Sequence, residues 1–288
     1  MMKLSDMRLL LEAHQIRLTK SLGQNFLHDG NQLRKIAAAA QLAPGDRVLE
    51  IGPGLGPLTE CLLETGAEVL AIEMDARLVA ILRERLAAHP RLTLQHADGL
   101  EVLQAPERDW NDWKLVANLP YSVASSMLVD CALGATAPAR LVVTLQLEVA
   151  RRLVARPGTS EYGVLPLLVG QRYAARLAFT IASGCFHPAP DVDSACVVLD
   201  RRPVPVIVAE RRATFARLVK LALSERRKMM FKLLKRDWPE AALRTAYAAL
   251  GLDPTIRAEK VTPAQFAALT LALSPLNPPA AATVAPSP

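Results

Sequence analysis

Asn118-Leu119-Pro120-Tyr121 combines an amide, a rigid ring and an aromatic side chain in four consecutive residues. The tetrad follows the apolar run Lys114-Leu115-Val116-Ala117, which reads as a buried strand ending in a Pro turn. A side-chain carbonyl at Asn118 and backbone carbonyls at Leu119 and Pro120 can accept hydrogen bonds from an N–H₂ group. The Tyr121 ring can stack on the flat molecule that carries it. In open α/β sheets ligands bind at the carboxyl ends of strands, where this tetrad falls. An ordinary strand-to-loop turn uses the same residue types, so the tetrad by itself leaves both readings open.

A second chemical stretch is Gly52-Pro53-Gly54-Leu55-Gly56, entered directly from the apolar run Arg47-Val48-Leu49-Glu50-Ile51. Glycines between a first strand and its helix let backbone N–H groups come close to a ligand. The spacing is G-x-G-x-G, with Pro57 where a dinucleotide fingerprint would place its third glycine. There is no Gly-Lys-Ser/Thr, which excludes a phosphate-gripping P-loop. With Glu50 ahead of it, the loop resembles motif I of the S-adenosylmethionine-dependent methyltransferases, whose cofactor has an amino-acid tail and no pyrophosphate. Carboxylates at the ends of the next two strands suit that ligand. Glu73 is placed to accept from ribose hydroxyls, and Asp98 from an adenine amino group. Each acid alone is a common loop residue; in register with Gly52, Gly54 and Gly56 they make a pattern.

These residues need elements to hold them. Strands are expected at 47–51, 68–72, 92–97, 114–117 and 140–145, with helices at 32–42, 57–65, 76–88 and 124–133 and another from near Glu148. Asp29 or Asn31 can cap the first of these helices, and Pro57 and Gly66 bracket the second. Alternation of this kind gives an α/β, doubly wound and mainly parallel sheet. Strands near 176–181 and 195–199 finish it, antiparallel at the edge. After Arg201, Arg202-Pro203-Val204-Pro205 reads as a linker, and helices alone follow at 212–224, 227–235, 240–250 and 263–273. The expected division is therefore an N-terminal segment 1–30, a sheet domain 31–202, a small all-helical domain 203–274 and a disordered Pro/Ala-rich tail 275–288.

Composition narrows the function classes. The chain has 288 residues, 51% hydrophobic, with a net charge of +6. That is enough to bury a sizeable core, and no run is long enough to cross a membrane. The N-terminus lacks a signal-peptide core, so a cytoplasmic location is expected. Cys61, Cys131, Cys185 and Cys196 are scattered without metal-ligand spacing, and no metal is expected. From Arg211 to Arg236 the only acidic residue is Glu225, and Arg226, Arg227 and Lys228 are consecutive. Such a cluster suits RNA, although a solvated helix face has the same composition.

Together, Gln24-Asn25-Phe26-Leu27, the Glu50–Gly56 loop, the Asn118–Tyr121 tetrad and Phe186-His187-Pro188-Ala189-Pro190-Asp191-Val192-Asp193-Ser194 closely resemble the KsgA/RsmA ribosomal RNA adenine dimethyltransferases. The resemblance runs from about Lys20 to Phe266, including the late Arg257-Ala258-Glu259 and Thr262–Phe266 segments. It implies a Rossmann-like class I methyltransferase sheet with a C-terminal helical RNA-binding domain. It also implies S-adenosylmethionine as donor, S-adenosylhomocysteine as product, and N6,N6-dimethylation of two adjacent adenosines near the 3′ end of small-subunit rRNA. The expected partner is a 30S precursor particle, and the expected state a monomer.

By the same resemblance Asn25 and Leu27 contact the cofactor, Gly52 its amino-acid portion, Glu73 its ribose and Asp98 its adenine. Asn118 lies between cofactor and target base. Phe186 is a second stacking surface opposite Tyr121, or else a core aromatic before a Pro-rich turn. Ser122, Ser125-Ser126, Leu147 and Phe231-Lys232 depart from the family pattern and bear on RNA docking. Related alternatives are a large-subunit rRNA dimethylase of the macrolide-resistance type and a DNA N6-adenine methyltransferase. The latter more usually has a second Pro where Leu119 stands. A non-catalytic assembly factor is disfavoured because Gly52, Glu73 and Asn118 are all present.

Overall fold

The computed structural model describes residues 2–16, 25–86 and 88–274. The Lys20–Gln24 stretch of the N-terminal motif and the tail from Pro275 lie outside them. The chain divides into two compact units, Met1–Val154 with Tyr173–Pro203, and Ala155–Arg172 with Val204–Pro288.

The first unit opens with α1 (Leu4–Ala13) and a two-residue strand β1 (Phe26–Leu27). Next comes α2 (Gly30–Ala39), capped by the Asp29 carboxylate, which accepts from the Asn31 and Gln32 N–H groups at 2.9 Å each. The sheet strands and helices then alternate: β2 (Arg47–Ile51), α3 (Pro57–Glu64), β3 (Glu68–Glu73), α4 (Ala76–Leu86) and β4 (Leu92–His96). They continue with α5 (Gly99–Gln104), β5 (Trp113–Asn118), α6 (Ala124–Leu133), β6 (Arg140–Gln146) and α7 (Leu147–Leu153). After α8 (Val164–Gly170), which belongs to the second unit, come β7 (Tyr173–Ile181), the short β8 (Phe186–His187) and β9 (Ser194–Arg201).

The seven-stranded sheet has the order β4-β3-β2-β5-β6-β9-β7. Pairs from β4 to β6 are parallel; β9 runs antiparallel to β6, and β7 antiparallel to β9. This is the expected α/β class, and the antiparallel strands lie at the expected edge. Strand order reverses between β2 and β5, which makes their carboxyl ends the topological switch point where ligands bind in such sheets. Their ladder runs only from Arg47–Trp113 to Leu49–Leu115, so both strands continue beyond their last mutual pairing.

Apolar side chains explain the helix placements. Leu33 and Ile36 of α2 and Leu58 and Leu62 of α3 pack with Val48, Val69, Val116 and Val142 of the sheet. A separate cluster joins Met7 and Leu11 of α1 to Phe26, Leu55 and the α4 residues Leu78 and Ile81.

The second unit is helical: α8, α9 (Arg212–Ala222), α10 (Met230–Leu234), α11 (Glu240–Ala249) and α12 (Pro263–Leu273). Residues 155–172 belong with these helices, whereas a boundary at 202/203 leaves them with the sheet. Buried Tyr162 donates its hydroxyl to the Val261 carbonyl at 3.0 Å, the Gly158 N–H donates to the Glu259 carbonyl at 2.8 Å, and the Val206 N–H to the Gln171 carbonyl at 2.8 Å. These bonds join two stretches remote in sequence, a relation no local pattern reveals.

Candidate active site

The switch point holds a cleft of about 280 Å³. Its walls include Asn25, Gly52, Gly54, Glu73, Asp98 and the whole Asn118–Tyr121 tetrad. Residues far apart in sequence thus meet where the sheet topology places a ligand.

The glycine loop takes backbone conformations that side chains resist. Gly52, Gly54 and Gly56 have φ of +70°, +62° and +86°. A Cβ on Gly54 would lie 2.6 Å from Cε1 of Phe26, and one on Gly52 would touch the Pro120 ring at 3.6 Å. Gly56 has a different job. It precedes α3 in the left-handed region, and a Cβ there would lie 2.9 Å from Leu82 and Leu86 of α4. Gly56 lets α3 and α4 approach and does not line the cleft. Arg85 of α4 secures this arrangement by donating to the Leu55 carbonyl and pairing with Glu60.

Glu73, 7% exposed, ends β3 and accepts from three backbone N–H groups: Gly54 at 3.1 Å, Met74 at 2.9 Å and Asp75 at 2.9 Å. Burial pushes its pKa up while those amides pull it back. Its Oε1 takes two of the three bonds, which leaves acceptor capacity on Oε2 toward the cleft. Beneath the loop Glu50 is 1% exposed, and its Oε2 has no partner. Burial raises its pKa to about 8, and the Glu73 charge adds to the shift. Glu50 therefore holds a proton at neutral pH, while at Glu73 the three backbone amides oppose the effect of burial. Asp98 caps α5, with Oδ1 accepting from the Leu100 N–H at 2.8 Å.

Asn118 ends β5. Its Nδ2 donates to the Asn25 carbonyl at 3.0 Å, which fixes the amide plane and its orientation. Its Oδ1 is buried with no hydrogen-bond partner among the described residues. A buried acceptor left unsatisfied costs on the order of 1–3 kcal/mol, so this oxygen is primed for an N–H donor. The Pro120 carbonyl accepts from the Val123 and Ala124 N–H groups at 3.2 and 3.1 Å. Of the two carbonyls expected to serve as backbone acceptors, Leu119 and Pro120, that favours Leu119. Tyr121 lines the cleft with its hydroxyl 2.6 Å from Ser194 Oγ; burial raises the phenol pKa, and the Ser194 bond opposes the shift.

Besides Gly56, two residues expected at the site are not brought to the cleft. Leu27 and Phe186, 2% and 3% exposed, sit in the main hydrophobic core with Leu33, Ile181 and Cys196 and do not line the cleft. The cause is the antiparallel pairing of β1 with β8, which sets Leu27 opposite Phe186 and turns both side chains inward. Phe26, between the two named N-terminal residues, lines the cleft together with Asn25.

Sequence reasoning also passed over Met74 and Gly99, each directly following a recognised acid. Met74 is 53% exposed at the cleft edge. Gly99 has a signal of its own, since a Cβ there would lie 2.5 Å from Ile51. Among the described residues no group of three or more His, Cys, Asp or Glu side chains converges on a metal position.

In the helical unit, Arg226, Arg227 and Lys228 are exposed as expected. They occupy a turn ahead of α10, not the helix foreseen over 227–235. Arg226 lies 3.9 Å from Glu259 and reaches the Tyr162 carbonyl at 3.4 Å, while Lys228 pairs with Glu225 at 2.6 Å. Phe231 is buried edge-on against Tyr247, with ring centroids 5.1 Å apart. It is a core residue of this unit, and its departure from the family pattern therefore lies away from the surface.

Comparison with known proteins agrees with this geometry. The crystal structure of the 23S rRNA methyltransferase ErmE superposes with a TM-score of 0.66 at 29% identity, covering 87% of this chain and all of that one. A dimethyladenosine transferase from Plasmodium falciparum, 24% identical, shares the fold with a TM-score of 0.71 over 85% of this chain and 96% of that one. The ribosomal RNA small subunit methyltransferase A of Lactiplantibacillus plantarum is 40% identical over 276 residues, 92% of this chain and 93% of that protein. Its counterpart in Myxococcus xanthus is 40% identical over 275 residues, 93% and 95% of the two chains. The profile of the ribosomal RNA adenine dimethylases matches residues 15–274, and on that extent of agreement the chain belongs to the ribosomal RNA adenine dimethylase family.

Proposed function

We propose that this protein dimethylates N6 of two adjacent adenosines near the 3′ end of small-subunit rRNA, with S-adenosylmethionine as donor and S-adenosylhomocysteine as product. The observation that carries the reading is the buried, unpartnered Asn118 Oδ1 in a cleft whose other wall is the Gly52–Gly54 loop. The cofactor, when bound, supplies a methyl group on a positively charged sulfur. Gly52 and Gly54 offer close backbone approach to its amino-acid portion, Glu73 an acceptor for ribose hydroxyls, and Asp98 one for the adenine amino group.

The acceptor amine is a weak nucleophile because its lone pair is delocalised into the purine ring. Asn118 Oδ1 and the Leu119 carbonyl would each accept one N6 hydrogen, favouring a pyramidal nitrogen with its lone pair aimed across the cleft. Tyr121 would stack on the base, which must leave its helix to reach the cleft. Holding the atoms in line supplies the acceleration. The nitrogen loses its proton only after it has become cationic, so no strong base is needed beforehand.

Small-subunit RNA is favoured over large-subunit RNA because the 40% identical relatives carry small-subunit names, against 29% for the large-subunit enzyme. The 30S precursor as substrate, a monomeric state and a cytoplasmic location belong to the same proposal. Among the described residues no helix is long and apolar enough to cross a membrane.

The deciding experiment incubates the purified protein and labelled S-adenosylmethionine with immature small subunits from a strain that lacks this modification. Label is expected as N6,N6-dimethyladenosine in small-subunit RNA. Label confined to large-subunit RNA or DNA would overturn the proposal.

A further inference from the structure

The cleft wall contains a hydrogen bond outside the set that meets the cofactor or the amine. The Tyr121 hydroxyl lies 2.6 Å from Ser194 Oγ. Ser194 is 0% exposed and opens β9, opposite Gln146 of β6 and Ile181 of β7. A side chain flanked on both sides by sheet strands is a fixed point. Tyr121, by contrast, follows a Pro in a loop, and its ring would otherwise turn about two side-chain torsions. The bond pins that ring at its far end.

We propose that Ser194 is a positioning residue that holds the Tyr121 ring against the target base, and that this restraint governs the second methyl transfer more than the first. The inference rests on the adenine-dimethylation reading above. An unmethylated N6 amine has two hydrogens and can satisfy both Asn118 Oδ1 and the Leu119 carbonyl. Once the first methyl is attached, a single hydrogen remains, and one of the two bonds that oriented the amine is gone. Alignment of the base for the second transfer then depends more heavily on the surface that stacks on it. A ring free to tilt misplaces the lone pair, and misplacement by about 1 Å can cost up to ~100-fold in rate. If Ser194 merely satisfied a half-buried phenol, its removal would lower stability and leave the product ratio alone.

The test follows both transfers in single turnovers, with enzyme in excess over immature small subunits. N6-methyl- and N6,N6-dimethyladenosine are separated after digestion for wild type, Ser194→Ala, Tyr121→Phe and the double variant. In each variant the second transfer is expected to slow by on the order of tenfold more than the first, so that monomethyl product accumulates. In Ser194→Ala, KM for the RNA and affinity for S-adenosylmethionine should be unchanged. The double variant should behave like either single one, because both remove the same bond. A wild-type product ratio, or equal slowing of both steps, overturns the inference and leaves dimethylation itself standing. If Ser194→Ala does not fold, Tyr121→Phe, which removes one hydroxyl, decides by the same criteria. Wild type that makes no N6-methylated adenosine in small subunits would overturn the functional reading, and the inference with it.

Discussion

Asn118 is engaged on one side and open on the other: Nδ2 goes to the Asn25 carbonyl, and Oδ1 has no donor among the described residues. Asn118→Ala should keep S-adenosylmethionine affinity within a few-fold. Methyl transfer should fall by on the order of 100-fold or more, the scale on which one pre-placed polar group acts. Isothermal titration and single-turnover transfer separate the two effects, and unchanged turnover would remove the tetrad from the reaction. Asn118 was legible because its chemistry and its position at a strand end pointed the same way. Phe186 was not. An aromatic before a Pro-rich turn suits a stacking face or a core equally, and what decides is its pairing partner Leu27, which no local pattern discloses. Glu73 was legible as a site acid, but its three backbone donors were not. Met74 and Asp75 directly follow Glu73 in the turn after β3, and the Gly54 amide depends on how the glycine loop folds over β3.

The parallel strands, with their long apolar runs, were readable to within a residue or two, and so were α3, α4 and α6, whereas α2, expected over 32–42, runs from Gly30 to Ala39. α5 and α8, six and seven residues long, are too short for a helical period to stand out, and a two-residue strand such as β1 has no period at all. α1 did carry a signal in Met7 and Leu11, four apart and buried, which the surrounding charges obscured. One consequence of the β2–loop–α3 element is a pH-dependent stability. Glu50 has an ordinary value of 4.5 and is raised to about 8 when folded. The folded protein therefore holds a proton that the unfolded chain releases, and stability declines as pH rises between those values. Above about 8 both states are ionised and the decline ends. Glu50→Gln removes the titration. The stability of wild type relative to this variant should fall between pH 5 and 8, by at most about 5 kcal/mol. Urea unfolding of both proteins across that range reads the difference directly, and a constant difference would mean that Glu50 is ionised in the fold.

For the whole molecule, the methyl-transfer cleft lies entirely within the first unit and the basic turn within the second. The proposed RNA contact and the proposed methyl transfer thus fall in separate units, and changes in one should leave the other's readout intact. Within the basic turn the three cations are unequal. Arg226 and Lys228 each face a glutamate, and Arg236 shares Glu225 with Lys228 at 2.6 Å. Arg227 has no ion-pair partner among the described residues and is exposed. Exposed ion pairs hold their partners weakly, by roughly 0–1 kcal/mol, so Arg226 and Lys228 can still exchange a carboxylate for a phosphate, at some cost. Arg227 meets no such competition. Arg227→Ala should therefore reduce the slope of log affinity against log salt by about 0.7–0.9 for one lost phosphate contact. Neutralising Arg226 and Lys228 as well should reduce it by less than proportion, since those charges are already partly compensated. Salt titrations of binding to a small-subunit RNA fragment measure both slopes, and cofactor affinity should not move in either variant. An unaltered slope in the triple variant would make the turn a solvated surface and place the RNA contacts elsewhere on the chain.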